Sequence, residues 1–123
     1  MESNDTAMYD DDAEASVLGS IILDNGCFEV VREIIGPESF YRPAHRTLFE
    51  VIEKLIREKK AADIVSVKDA LGDRLMDVGG QPYLVQLLET VPSSAQALTY
   101  AGIIRPWQQR RAIKRLLAEV SEG

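Results

Sequence analysis

The sequence predicts an all-α protein: a compact orthogonal bundle of about six short helices, followed by the start of a helical hairpin arm. Three observations carry this reading. Apolar residues recur three and four positions apart in most segments, the spacing of one helix face. Residues that start or stop helices separate these segments, among them Gly36, Pro37, Pro43, Gly72, Gly79, Gly80, Pro82 and Pro92. No segment alternates apolar and polar residues over the length of a strand.

The first helix is expected from Asp11 or Asp12, with Asp11 and Glu14 spaced as a capping box. Val17, Leu18, Ile21 and Ile22 form its buried stripe. Gly19 lowers helix propensity, and in a packed bundle it lets another helix come close. Asp24, Asn25 and Gly26 mark a turn. A second helix follows from about Cys27 to Ile35, burying Phe28, Val31 and Ile35, and Gly36 and Pro37 stop it.

The stretch Phe40 to Lys60 is expected to organise the rest. Pro43 suits a first helical position, where its missing N–H has no partner in any case. Leu48, Ile52, Leu55 and Ile56 then fall on one face, widened by Phe49, while Glu50, Glu53, Lys54, Arg57 and Glu58 hold the other. Asp63 to Val65 is too short for a sheet-forming strand and reads as an extended connector. Ser66 and Asp69 have capping-box spacing for a short helix that Gly72 ends. After the Gly79–Gly80 loop, Pro82 starts a helix carrying Tyr83, Leu84, Leu87, Leu88 and Val91, which Pro92 breaks. Ser93 to Gln96 caps the next, with Leu98, Ala101 and Ile104.

Pro106 then falls inside a helical pattern. It deletes the hydrogen bond to the Gly102 carbonyl and presses on it, so a kink or break is expected near residues 102–106. Trp107 to Val120 restarts as a helix whose apolar stripe is Trp107, Ile113, Leu116, Leu117 and Val120, the candidate association surface. The expected organisation is therefore a leader over 1–11, a globular head over 12–105 and an arm over 106–123.

Composition narrows the function classes. The 123 residues are 46 % hydrophobic and 28 % charged, ordinary for one globular domain. The single cysteine, Cys27, excludes an internal disulfide and reads as a small packing residue. No apolar run approaches the roughly 20 residues of a membrane span, and the acidic start is unlike a signal peptide, so a cytoplasmic protein is expected. The net charge of −6 is concentrated in the first 14 residues, which hold six acids and no base. Residues 1–10 are expected to be disordered and dispensable. Arg105, Arg110, Arg111, Lys114 and Arg115 cluster in a stretch without acids between Glu89 and Glu119. That cluster, with Trp107 among it, suits phosphates, an acidic partner or simply solvent.

No catalytic constellation stands out. The phosphate-cradling pattern G-x-x-x-x-G-K-[ST] is absent, and Gly79–Gly80 lacks its context. His45 is the only histidine and has no second ligand at metal spacing, so packing or hydrogen bonding is expected of it. No two of the 20 acids are singled out for acid–base work.

Five short stretches add a resemblance: EASVLG (Glu14–Gly19), FYRPAHR (Phe40–Arg46), ADIV (Ala62–Val65), VGG (Val78–Gly80) with Tyr83 and Leu84, and VPS (Val91–Ser93) leading to Tyr100 and Ala101. In this order they resemble the N-terminal domain of the bacterial and phage replicative DNA helicases of the DnaB type, over about residues 12–105. The resemblance implies an all-α head followed by a helical hairpin, in a hexamer whose N-terminal domains pair into a collar. It implies docking of primase and of a helicase loader, with self-association as a dimer or, in the full-length protein, a hexamer. It implies no catalytic residue, cofactor or metal here, because ATP and Mg²⁺ belong to a RecA-like motor domain outside this chain. His45 and Gly79–Gly80 match the motif as structural residues. Direct DNA binding is expected to be weak or absent. The alternatives are a free-standing DNA-binding protein using the Arg105–Arg115 cluster, or a truncated protein that interferes with helicase assembly.

Overall fold

A computed structural model describes residues 8–122. It contains six α-helices: α1 (Asp11–Leu23), α2 (Phe28–Arg32), α3 (Pro43–Arg57), α4 (Ile64–Leu71), α5 (Gly80–Thr90) and α6 (Ala97–Glu122). Short 3-10 turns at Asn25–Cys27, Pro37–Ser39, Gly72–Arg74, Met76–Val78 and Ser94–Gln96 join them. Among the described residues there is no strand.

The centre of the bundle is α1, not α3. From Val17 to Ile22 every residue of α1 is buried, and the helix packs against α3, α5 and α6. Its stretch ASVLGSIIL (Ala15–Leu23) carries no charge, as suits a helix enclosed on all sides. Gly19 is the contact point: a Cβ there would collide with the Leu87 carbonyl oxygen of α5. The expected close approach is therefore real. By contrast α3 is two-sided, burying His45, Leu48, Phe49, Val51, Ile52 and Leu55 against a charged outer face. Phe28 and Phe40 pack on Phe49 of α3 in the core with their rings tilted to it.

Several local expectations change. The second helix, α2, is Phe28–Arg32 and so shorter than the expected Cys27 to Ile35, because Asn25–Cys27 forms a 3-10 turn ahead of it and the chain leaves the helix at Glu33. Asp10, not Asp11, caps α1, accepting from the Ala13 N–H at 3.0 Å. Glu14 is consequently free of capping and turns inward. The connector at 63–65 is instead the start of α4, whose cap is Asp63. The Asp63 carboxylate accepts from Ser66 N–H at 2.8 Å, and the Ser66 hydroxyl accepts from Asp63 N–H at 2.9 Å. The capping box thus lies one turn before the expected Ser66–Asp69 pair, because Ser66 closes the motif and does not open it.

The break expected near 102–106 is absent: α6 runs through Pro106 as one helix of 26 residues. Interior proline costs about 3 kcal/mol, and packing on both sides offsets it. Ala101 and Ile104 are buried before the proline and Arg111 after it. Arg105 also donates to the Ile34 carbonyl at 2.9 Å. The expected boundary between 105 and 106 thus lies inside a continuous helix.

Only the end of the expected leader over 1–11 falls within the described residues, and there Asp11 already starts α1. Residues 1–7 lie outside the described residues, but Met8, Tyr9 and Asp10 are placed against the head. Tyr9 stacks on Tyr41, with ring centroids 4.4 Å apart.

Candidate association surface on the last helix

The sequence of α6 divides into two parts. Ala97 to Ile104 alternates small and apolar residues that seat on α1, and Gln108 to Val120 is rich in strong helix formers. At 3.6 residues per turn, Ala97, Ala101, Ile104 and Arg111 share the face toward the head, and all four are buried. Ile113, Leu116, Leu117 and Val120 fall on the opposite face. They are 57, 59, 63 and 76 % exposed. Every residue from Ile113 to Val120 is exposed, so the last turns of the helix project beyond the head.

Trp107 does not belong to this stripe. It is partly buried, toward the head side of the helix, and the Arg110 guanidinium lies 4.6 Å from its ring. The association candidates read from the sequence therefore separate into four residues on one exposed face and one beside it.

The basic cluster is also divided by the fold. Arg111 is only 7 % exposed and donates to the backbone carbonyls of Met8 and Ser39, each at 2.8 Å. Burial pushes its guanidinium below its ordinary pKa. Arg105 is tied to Ile34. Arg110, Lys114 and Arg115 remain exposed on α6. A surface contact of this size engages few phosphates, and non-specific affinity scales with the number engaged.

One polar constellation was missed in the sequence. Glu14 and His45 are both buried, with Glu14 Oε1 2.7 Å from His45 Nδ1. Glu14 Oε2 accepts from the Tyr41 N–H at 2.7 Å, and Tyr83 Oη lies 2.6 Å from His45 Nε2. The arrangement that satisfies each partner has the Tyr83 hydroxyl donating to Nε2 and the Nδ1–H donating to Glu14. Burial raises the Tyr83 phenol above its ordinary pKa, which favours this donor role. The signal was present, since Glu14 is the last charge before an uncharged helix and His45 lies on the inner face of α3. Its lone pairs are taken up by α1, α3 and α5 themselves, so it holds the bundle together.

Among the described residues, no group of three or more His, Cys, Asp and Glu is placed to hold a metal ion. No described helix is long and apolar enough to cross a membrane. Cys27 is half-buried, and burial raises its thiol pKa, as suits a packing residue. A cleft of about 400 Å³ lies between α6 and the turn after α2, lined by Arg32, Glu38, Arg105 and Gln109 among others.

Comparison with known proteins gives a consistent answer. The family model for the DnaB-like helicase N terminal domain matches residues 6–106. The replicative DNA helicase DnaB of Pasteurella multocida is 35 % identical over 112 residues, covering 89 % of this chain and 23 % of that protein. That of Mycobacterium leprae is 39 % identical over 109 residues, covering 87 % of this chain and 17 % of the relative. The chain thus spans less than a quarter of the length of these relatives. Among solved structures, the N-terminal domain of DnaB helicase from Mycobacterium tuberculosis superposes with a TM-score of 0.91 at 35 % identity, covering 95 % of this chain and 83 % of that one. The corresponding domain from Helicobacter pylori, studied with its interactions with primase, has a TM-score of 0.79 at 24 % identity, covering 90 % of this chain and 88 % of that one. At that identity the second likeness bears on the fold.

Proposed function

Because the chain belongs to the family of DnaB-like helicase N-terminal domains, we propose that it is the collar module of a replicative DNA helicase, pairing subunits and docking primase and a helicase loader. The observation that carries this reading is the exposed face Ile113, Leu116, Leu117 and Val120 on a helix that projects past the head. Each such side chain gains roughly 1.5–3 kcal/mol when fully buried, so the face favours association. The docking role is the proposed part of this reading; the Helicobacter pylori domain, which shares the fold, was itself studied with its interactions with primase. ATP, Mg²⁺ and strand separation are assigned to a motor domain beyond these residues, in the cytoplasm. Direct DNA binding rests on Arg110, Lys114 and Arg115 alone and is weak.

Light scattering over a concentration series tests the association. The wild-type chain is expected to form dimers as concentration rises, and Leu116→Asp with Leu117→Asp to stay monomeric with the head's melting temperature unchanged. A wild type that remains monomeric throughout refutes the assignment. Unfolding of the head in the double variant would place the stripe in the core instead. Calorimetric titration with the cognate primase tests docking separately, with saturable heat expected.

A further inference from the structure

Past Pro106, α6 has one fully buried side chain, flanked by the half-buried Trp107, Gln108 and Ala112. From Trp107 to Val120, Arg111 is the only buried residue. Its two hydrogen bonds go to backbone carbonyls, not to a carboxylate. One acceptor, Ser39, lies in a fixed turn: it is buried, and its hydroxyl accepts from the Gly36 N–H at 3.0 Å. The other, Met8, lies 103 residues away, in the irregular segment ahead of the α1 cap.

That segment is held from the same side. Tyr9 stacks on Tyr41, and the Arg111 guanidinium lies 5.4 Å from the Tyr41 ring. Lys114 Nζ donates to Met8 Sδ at 3.7 Å. Asp10 is already anchored as the cap of α1. Only Met8 and Tyr9 therefore depend on α6 and Tyr41 for their place.

The helix is weakest one turn before this anchor. Pro106 leaves the Gly102 carbonyl without its helical donor. Arg105 ties one side of this turn to the Ile34 carbonyl, but nothing lies within 4 Å of where a Gly102 Cβ would be, so the other side of the weak turn has no buttress. A lever that starts at a weak turn takes its direction from whatever fixes it next.

We infer that α6 carries a hinge at Gly102–Pro106 and a latch at Arg111, and that Met8–Tyr9 is the removable half of the latch. With Met8–Tyr9 seated, the projecting arm holds one direction. With them lifted, Arg111 keeps only the Ser39 carbonyl and the arm swings. Any partner that takes up the chain ahead of Asp10 therefore redirects the face formed by Ile113, Leu116, Leu117 and Val120.

Spin labels at Glu89→Cys on α5 and Glu119→Cys on α6 report the arm's direction as a distance distribution. They are placed in a Cys27→Ala background and diluted with unlabelled protein, so that pairs between copies do not contribute. A narrow distribution is expected with the native latch. Tyr9→Ala is expected to lose the narrow peak while the head's melting transition stays in place, and Arg111→Met to broaden the distribution further. Adding Pro106→Ala to Tyr9→Ala restores the narrow peak, because the hinge is gone. A Tyr9→Ala distribution that superimposes on the native one overturns the latch, as does a broad native distribution. A double variant that stays broad overturns the hinge. If Arg111→Met fails to fold, Tyr9→Ala decides alone.

Discussion

Glu14 Oε1 lies 2.7 Å from His45 Nδ1, and the two side chains share the closed interior between α1 and α3. The carboxylate also accepts from the Tyr41 N–H, and the imidazole reaches Tyr83 on α5. One acid thus fixes the relative placement of three helices and the chain entering α3. Buried polar groups are stabilising only while every partner is present, because each orphaned group costs about 1–3 kcal/mol. Glu14→Ala orphans both the Tyr41 N–H and the imidazole and is expected to cost on the order of 3 kcal/mol or more. Tyr83→Phe removes one bond at the half-exposed end and costs about 1 kcal/mol. Urea titration measures both. Equal losses for the two would show that the carboxylate is not the hub.

Gly19→Ala is expected to destabilise the protein although alanine is the better helix former. The propensity gain is about 1 kcal/mol. The added methyl would meet the Leu87 carbonyl oxygen, a backbone atom that cannot rotate away. Overpacking of this kind costs about 1–3 kcal/mol, so the net effect is a lower melting temperature by calorimetry. A raised melting temperature would mean that α1 and α5 can separate without loss.

The cap of α4 gives a pH-dependent prediction. The Ser66 N–H, donating to the Asp63 carboxylate, holds that group below its ordinary pKa. Its contribution is complete above the ordinary carboxylate value and disappears as pH falls through the lowered one. Asp63→Ala is expected to cost about 1 kcal/mol at neutral pH, and the gap to wild type should close on acidification. A gap that persists unchanged below the carboxylate range would mean that the loss arises from something other than the charged cap.

The two halves of the basic cluster should respond differently to substitution. Arg111→Ala is expected to destabilise the fold, since it orphans the carbonyls of Met8 and Ser39. Replacing Arg110, Lys114 and Arg115 together by alanine should leave stability unchanged and flatten the salt dependence of any DNA affinity. Melting curves and a fluorescence titration at two salt concentrations separate the two. Tight single-strand binding that survives the triple substitution would place the nucleic-acid contact elsewhere.

How much of this was legible beforehand depends on the range of the interaction. The helical periodicity of α3 and the buried Phe28, Val31 and Ile35 are set by neighbours within a few positions, and the chain alone determined them, whereas α2 already ends at Arg32, short of the stop expected at Gly36–Pro37. The small residue at Gly19 announced a close contact but not the Leu87 carbonyl that it meets. The apolar stripe at Ile113, Leu116, Leu117 and Val120 was equally plain, since α6 repeats it every three or four residues. What tertiary structure decided lies at long range. Pro106 interrupts a helix only if the turns around it are free, and here Arg105 and Arg111 anchor both sides to distant carbonyls. Glu14 reads locally as a capping acid, yet its partners stand 27 and 31 positions away. A charge finds its role where it loses water, and burial is a property of the packed bundle.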